Sequence, residues 1–243
     1  MPENAVTLTV LYNNVPQDAR LTTAWGMAGL VEGAGQTLLF DTGGDGDVLL
    51  RNMKARAKSP AGVDGVVLSH AHADHTGGLE EFLKQNRNVR VFLPESFPPS
   101  FKKAIEDTGA QVVAVQGPQQ IAEGVHTTGQ MGTVLKEQAL VLDTQQGLVV
   151  VTGCSHPGVA EIATRAVEVC PKRDFYLVTG GFHLGGHSHA EVETIIKTFR
   201  ELGIQKVAPS HCTGDRAVQA FREAWGDDFL DLGCGAELKL PRP

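Results

Sequence analysis

Two β-sheets packed face to face, with helices on their outer surfaces, are the α+β architecture that this sequence of 243 residues predicts. Three observations lead there. Short β-type runs crowd the N-terminal part, a hairpin pattern sits near the middle, and helical and strand-like runs alternate on either side of it.

The early strand-like runs cover residues 6–12, 26–31 and 37–40, the last ending in Asp41-Thr42-Gly43-Gly44. A helical pattern over 47–54 precedes a buried-type strand over 66–68. Residues 77–85 read as a helix because Leu79, Phe82 and Leu83 fall on one face. A strand over 89–93, a helix over 100–108 and a strand over 111–115 follow. Residues 139–142 and 148–152 flank the polar Asp143-Thr144-Gln145-Gln146-Gly147, which reads as an antiparallel hairpin with Asp143 at its turn. Helices over 159–169, 190–202 and 216–225 then alternate with strands over 175–178, 206–208 and 237–240. No low-complexity linker or short-period repeat interrupts the chain, so one domain over 1–243 is expected.

Lysine and arginine number 21 against 28 acidic residues, a formal charge of −7. Without a basic stripe, this balance argues against a nucleic-acid partner and against a nuclease. Bound divalent cations would still make a pocket locally positive, so net charge does not choose the substrate. The four cysteines (Cys154, Cys170, Cys212 and Cys234) are widely spaced and include no C-x-x-C pair, which fits a reducing cytoplasm rather than a disulfide framework. Met1-Pro2-Glu3-Asn4 lacks a basic leader segment, and no apolar run reaches membrane-spanning length, so no membrane partner is expected.

The chemistry concentrates in Ser69-His70-Ala71-His72-Ala73-Asp74-His75-Thr76-Gly77-Gly78. Three imidazoles and a carboxylate fall within six positions, directly after an apolar strand. These ligand types suit zinc, iron and manganese. Asp41, residues 154–156, residues 180–183 and Ser210-His211 also follow strands. Several strand-end loops meeting at one edge would make a single site.

The pattern H-x-H-x-D-H at His70, His72, Asp74 and His75, with Leu39-Phe40-Asp41-Thr42-Gly43 before it and Ser210-His211 after it, resembles the metallo-β-lactamase superfamily. Val151-Thr152-Gly153-Cys154-Ser155-His156-Pro157-Gly158, Gly180-Gly181-Phe182-His183-Leu184 and His211-Cys212-Thr213-Gly214 narrow the likeness. They resemble the branch typified by dihydropterin-ribofuranosylaminobenzene phosphate synthases, many members of which are described only as metal-dependent hydrolases. The resemblance implies a four-layer αββα sandwich with one or two divalent ions between the sheet edges, zinc first, with iron or manganese as alternatives.

It also implies roles. His70 and His72 would bind one ion with His156 as third ligand, and Asp74 and His75 a second ion with His211. Three protein ligands leave a position for water, whose pKa falls to about 7 in such sites. Asp74 would orient that water, a catalytic role. Asp41 is either an acceptor for the second ring N–H of a ligand histidine or a turn-former before Gly43-Gly44. Relatives often carry a bridging aspartate where this chain has Gly153-Cys154, so Cys154 is either a bridging thiolate or a buried small residue, with Asp143 a poorer substitute. His183 is expected in the pocket as proton donor, substrate contact or extra ligand, its glycines letting the backbone approach a ligand. His187 and His189 are expected to cover the pocket or merely precede a helix capped by Ser188. His126 lacks a surrounding motif, Cys212 is expected to pack beside the site, and Cys170 and Cys234 have no chemical context.

Three functions follow. The first is metal-dependent hydrolysis of an ester, lactone or phosphate-type bond in a small molecule. The second is a pterin-linked synthase or transferase, with a phosphorylated ribosyl donor losing diphosphate to an aminobenzoate acceptor. The third is a metal-binding sensor without turnover. No flavin motif supports iron redox chemistry, and the sequence does not set the oligomeric state.

Overall fold

The computed structural model describes residues 5–171 and 174–242. Met1-Pro2-Glu3-Asn4, read above for leader character, lies outside the described residues. Strand β1 (Ala5–Asn13) pairs antiparallel with β2 (Met27–Glu32), which pairs antiparallel with β3 (Leu38–Phe40) on its other side. Helix α1 (Gly46–Ala55) leads to β4 (Gly65–Val67), the one-turn α2 (Ala73–Thr76) and α3 (Leu79–Gln85). Next come β5 (Arg90–Pro94), α4 (Pro99–Asp107) and β6 (Gln111–Val115), so that β3 to β6 lie parallel.

The second sheet begins with β7 (Gln119–Ala122), β8 (Val125–Thr127), β9 (Leu140–Thr144) and β10 (Gly147–Thr152), all antiparallel. Helix α5 (Val159–Val169), strand β11 (Phe175–Gly181), helix α6 (His189–Glu201) and strand β12 (Lys206–Ser210) then add two strands parallel to β10. Helix α7 (Asp215–Trp225) follows, and β13 (Glu237–Pro241) returns to pair with β1.

Three apolar layers hold four structural layers together. Phe40, Val67, Phe92, Val149 and Val151 share the layer between the sheets. Leu148, Val150 and Phe175 face outward to Ile162, Phe199, Phe221 and Trp225 of the second sheet's helices. Leu39, Val66 and Val91 do the same toward Leu49, Met53, Phe82 and Ile105. Alternation at period two therefore buries both faces of each central strand, which is why β10 reads as an unbroken apolar run. Each such Leu, Val or Phe contributes roughly 1.5–3 kcal/mol of burial.

The structure shifts several expectations. The helix anticipated over 77–85 starts at Leu79: Gly77 closes the one-turn α2 and Gly78 opens α3, both so close to the carbonyls of Gly44 and Thr42 that a Cβ would collide. Asp143 belongs to β9; the turn is Gln145-Gln146, closed by the Thr144 hydroxyl donating to the Gly147 carbonyl at 2.6 Å. Strand β11 extends through Gly180 and Gly181, so these glycines are not a flexible loop. Side chains there would strike Thr152 at the end of the neighbouring strand and Gly153 just beyond it. Strands β7 and β8 were not legible, since Gln119, Gln120 and His126 hide the apolar alternation of Ile121 and Val125. Among the described residues, no helix is long and apolar enough to cross a membrane.

Candidate metal centre

The C-terminal ends of parallel strands in both sheets open on one edge, and the chemically reactive side chains follow them. Asp41 ends β3, residues 69–75 follow β4, residues 154–156 follow β10, His183 follows β11 and His211 follows β12. Asp41, Ser155, His183 and His211 have φ of 56°, 65°, 52° and 52°, the left-handed region that non-glycine residues rarely occupy. Four strands thus turn sharply at the same rim.

Asp41 is fully buried and accepts three hydrogen bonds. Its Oδ1 takes the Ser69 N–H at 2.7 Å, and its Oδ2 takes the Ser69 hydroxyl and His75 Nδ1, each at 2.7 Å. Holding Nδ1–H fixes the tautomer that leaves His75 Nε2 as a free donor pair. That atom lies 3.2 Å from Cys154 Sγ, 3.2 Å from His211 Nε2 and 3.6 Å from Asp74 Oδ2. His211 is oriented in the same manner, its Nδ1 pairing with Asn14 Oδ1 at 2.8 Å. Asp74, His75, Cys154 and His211 form one group whose ligand atoms all lie within 4.8 Å of one another.

His70, Cys154 and His156 form a second such group. His72 stands beside it, with Nδ1 3.2 Å from His70 Nε2 and its ring 4.8 Å from that of His156. His156 Nε2 is buried without a hydrogen-bond partner, the orphaned donor atom that a cation would satisfy. Cys154, His183 and Cys212 make a third group, and the His183 ring lies 4.2 Å from that of His156. Cys154 belongs to all three groups. Imidazole, carboxylate and thiolate together fit a divalent transition ion.

Glu137 carried no signal in the sequence. Fully buried, its Oε1 accepts the N–H groups of Cys154 and Ser155, and its Oε2 that of His156, each at 2.8 Å. Adjacent Gln138 reaches the first sheet, its Nε2 donating to the Leu68 carbonyl at 2.9 Å and its N–H to the Ser69 carbonyl at 2.9 Å. One dipeptide therefore ties the two ligand-bearing loops together. Trp25 was also missed; 59% exposed, its ring packs 5.0 Å from that of His211 at the rim.

Burial drives most of the electrostatics. It lowers His70, helped by the neighbouring His75, His156 and His72, and it brings His156 down to about 4 with help from His183. His183 and His211 are lowered for the same reason, the hydrogen bond to Asp74 opposing the shift at His211. Neutral imidazole is the form that binds cations. At His75 the Asp41 carboxylate outweighs burial and raises the pKa. Burial works against ionisation of Asp74, but the His211 hydrogen bond and the nearby His75 and His211 hold it well below the usual carboxylate range. Burial raises Glu137 despite its three N–H donors.

Other sequence-flagged residues are not members of these three groups. His126 sits half-buried in β8, paired with Gln120 and Val141. Ser188 caps α6 in a reciprocal pair with Glu191, so the capping explanation of that segment holds. His187 and exposed His189 line a cavity of about 880 Å³ between the N-termini of α6 and α7. His187 also lines a smaller cavity, about 350 Å³, with His156 and His183. Buried Cys234 directs its thiol to the Leu11 carbonyl at 3.6 Å.

Residues 26–211 match the metallo-β-lactamase superfamily. The chain belongs to that superfamily. It is 29% identical to a 7,8-dihydropterin-6-methyl-4-(β-D-ribofuranosyl)-aminobenzene-5′-phosphate synthase of Methanocaldococcus jannaschii, covering 88% of this chain and 90% of the relative. The solved structure of Tm1679, described as a metal-dependent hydrolase of the β-lactamase superfamily, superposes with a TM-score of 0.81. It shares 28% identity and covers 97% of this chain and 99% of its own. YhfI of Bacillus subtilis, a metallo-β-lactamase fold protein, has a TM-score of 0.71 at 15% identity over 97% of this chain and 99% of its own, a likeness of fold alone. The αββα sandwich inferred from the motifs is thus the metallo-β-lactamase fold.

Proposed function

We propose that this chain is a metal-dependent hydrolase of a small molecule carrying an ester, lactone or phosphate-type bond, acting as a single cytoplasmic domain. The observation that carries the reading is the position of Cys154, whose sulfur belongs to both histidine groups at once. His70, His72 and His156 would hold one ion, and Asp74, His75 and His211 the other, with Cys154 between them. Zinc suits this mixed set best, and iron or manganese would be accepted. Bound divalent ions supply Lewis acidity and an activated water at neutral pH.

The protein's own groups do the remaining work. Asp41 and Asn14 fix the rings of His75 and His211. Asp74, held ionised, would accept a hydrogen bond from that water and so orient it. His183 is exposed at the mouth, and with its pKa lowered it offers a neutral N–H to a substrate oxygen.

A second reading is a pterin-linked synthase. The near full-length match to the Methanocaldococcus jannaschii relative favours it, as does the exposed face of Trp25, a stacking surface for a planar ring. The test is one assay on zinc-loaded protein. Phosphate esters and lactones turned over with water, and lost in His72→Ala with unchanged circular dichroism, support hydrolysis. Diphosphate released only in the presence of an aminobenzoate-type acceptor, from the phosphorylated ribosyl donor expected above or from an activated dihydropterin as the relative's name suggests, favours the synthase. Full ion binding with neither activity leaves a metal-binding sensor.

A further inference from the structure

The third ligand group contains two thiols that neither functional reading uses together. Cys154 and Cys212 lie on separate loops, after β10 and β12, yet their sulfurs approach within 4.8 Å of each other and of a His183 ring nitrogen. The Cys212 thiol packs directly on the backbone of Cys154, 3.7 Å from its carbonyl oxygen. Both loops are anchored, one by Glu137 and the other through His211 and Asn14. The sulfurs must still close to the roughly 2.05 Å of a disulfide bond. Cys154 is buried, but Cys212 is half-buried next to exposed His183, so a small oxidant has a path to the pair.

We propose that Cys154 and Cys212 form a reversible disulfide when the protein meets hydrogen peroxide, withdrawing Cys154 from the ions it would share. The proposal rests on the reading above only for its effect on metal. One thiol, ionised, attacks a peroxide oxygen; the O–O bond breaks, and the departing hydroxide leaves as water with the thiol's proton. The resulting sulfenic acid is attacked by the second thiol, the S–S bond forms and a second water departs. Two thiols and one peroxide thus give one disulfide and two waters, and a dithiol reductant reverses the change by exchange. The oxidised sulfur is no longer an anionic ligand, so both histidine groups lose their common member.

The full chain, zinc-loaded and metal-free, is treated with stoichiometric hydrogen peroxide, alkylated differentially and mapped by mass spectrometry, with metal content measured after desalting. Of the four cysteines, Cys154 and Cys212 should disappear into one cross-linked peptide. The loaded protein should release bound zinc, and dithiothreitol with zinc should restore it. Cys212→Ser should give no cross-link and should keep its metal through the same peroxide treatment. Absence of the cross-linked peptide, or a cross-link with full metal content, overturns the proposal. Untreated Cys154→Ser separates the two claims: undiminished metal in that variant removes Cys154 from the ion site whether or not the wild type cross-links.

Discussion

Asp41 Oδ2 and His75 Nδ1 lie 2.7 Å apart in a fully buried pair, and the opposite nitrogen of that imidazole points at Cys154 and His211. The carboxylate is thus a positioning group whose effect is felt on the far side of the ring. Its side chain also pins the Ser69 backbone, where the histidine-rich loop begins.

Asp41→Asn keeps the size and tolerates the left-handed backbone of that position. Its amide nitrogen cannot accept, so either Ser69 or His75 loses its partner. The expected outcome is a 10–100-fold loss of metal affinity with the fold retained. Competition against a chromogenic chelator measures this, and unchanged affinity would remove Asp41 from the ligand-orienting role.

Glu137→Gln places an amide N–H against the His156 backbone N–H, two donors facing each other in a buried space. One unsatisfied buried donor costs about 1–3 kcal/mol. Urea unfolding of metal-free protein should show that loss, and metal binding should weaken as the 154–156 loop loosens. A variant as stable as the wild type would mean that the loop holds itself.

Acid should weaken the metal-free fold. His70, His156, His183 and His211 have folded-state pKa values below the ordinary 6.5, with His156 near 4. Between those values the unfolded chain binds more protons, so the stability from these residues is complete above about pH 6.5 and is lost as pH falls toward 4. His75 runs oppositely, its contribution present at low pH and lost as pH rises through its raised folded value. Glu137, raised by burial, runs with His75; the four lowered histidines act against both, and urea midpoints should fall with acidification. Midpoints that rise on acidification would contradict the assignment of neutral histidines.

Trp25 should report on the ions. The chain has two tryptophans, and Trp225 is buried among Phe199 and Phe221, far along α7. Trp25 packs against His211. Cobalt binding should quench part of the tryptophan emission in the wild type and leave Trp25→Phe unaffected. Quenching that persists in the variant would place the ion elsewhere.

Much of this was legible in the chain, and the reasons are physical. His70, His72, Asp74 and His75 were legible as a cluster because they follow one strand end within six positions. Strand β10 showed as an apolar run because both its faces are buried. Glu137 stayed hidden because its partners are backbone N–H groups 17 to 19 residues away, which leave no side-chain pattern. Asp41 stood between two readings, and only the tertiary contact with His75 shows which atom it holds. Gly180 and Gly181 gave the right residue type for the wrong reason, since the close neighbour is a strand, not a ligand.

The left-handed residues at the rim have a consequence for replacing this loop set by design. Asp41, Ser155, His183 and His211 each hold a conformation that costs of order 1–3 kcal/mol for side chains with a Cβ. Glycine at His183 would relax the backbone while deleting the imidazole, so such a variant should melt higher and work worse. Heat tolerance and chemistry pull in opposite directions along this edge of the molecule, and a transplanted motif without its surrounding anchors would uncoil there first.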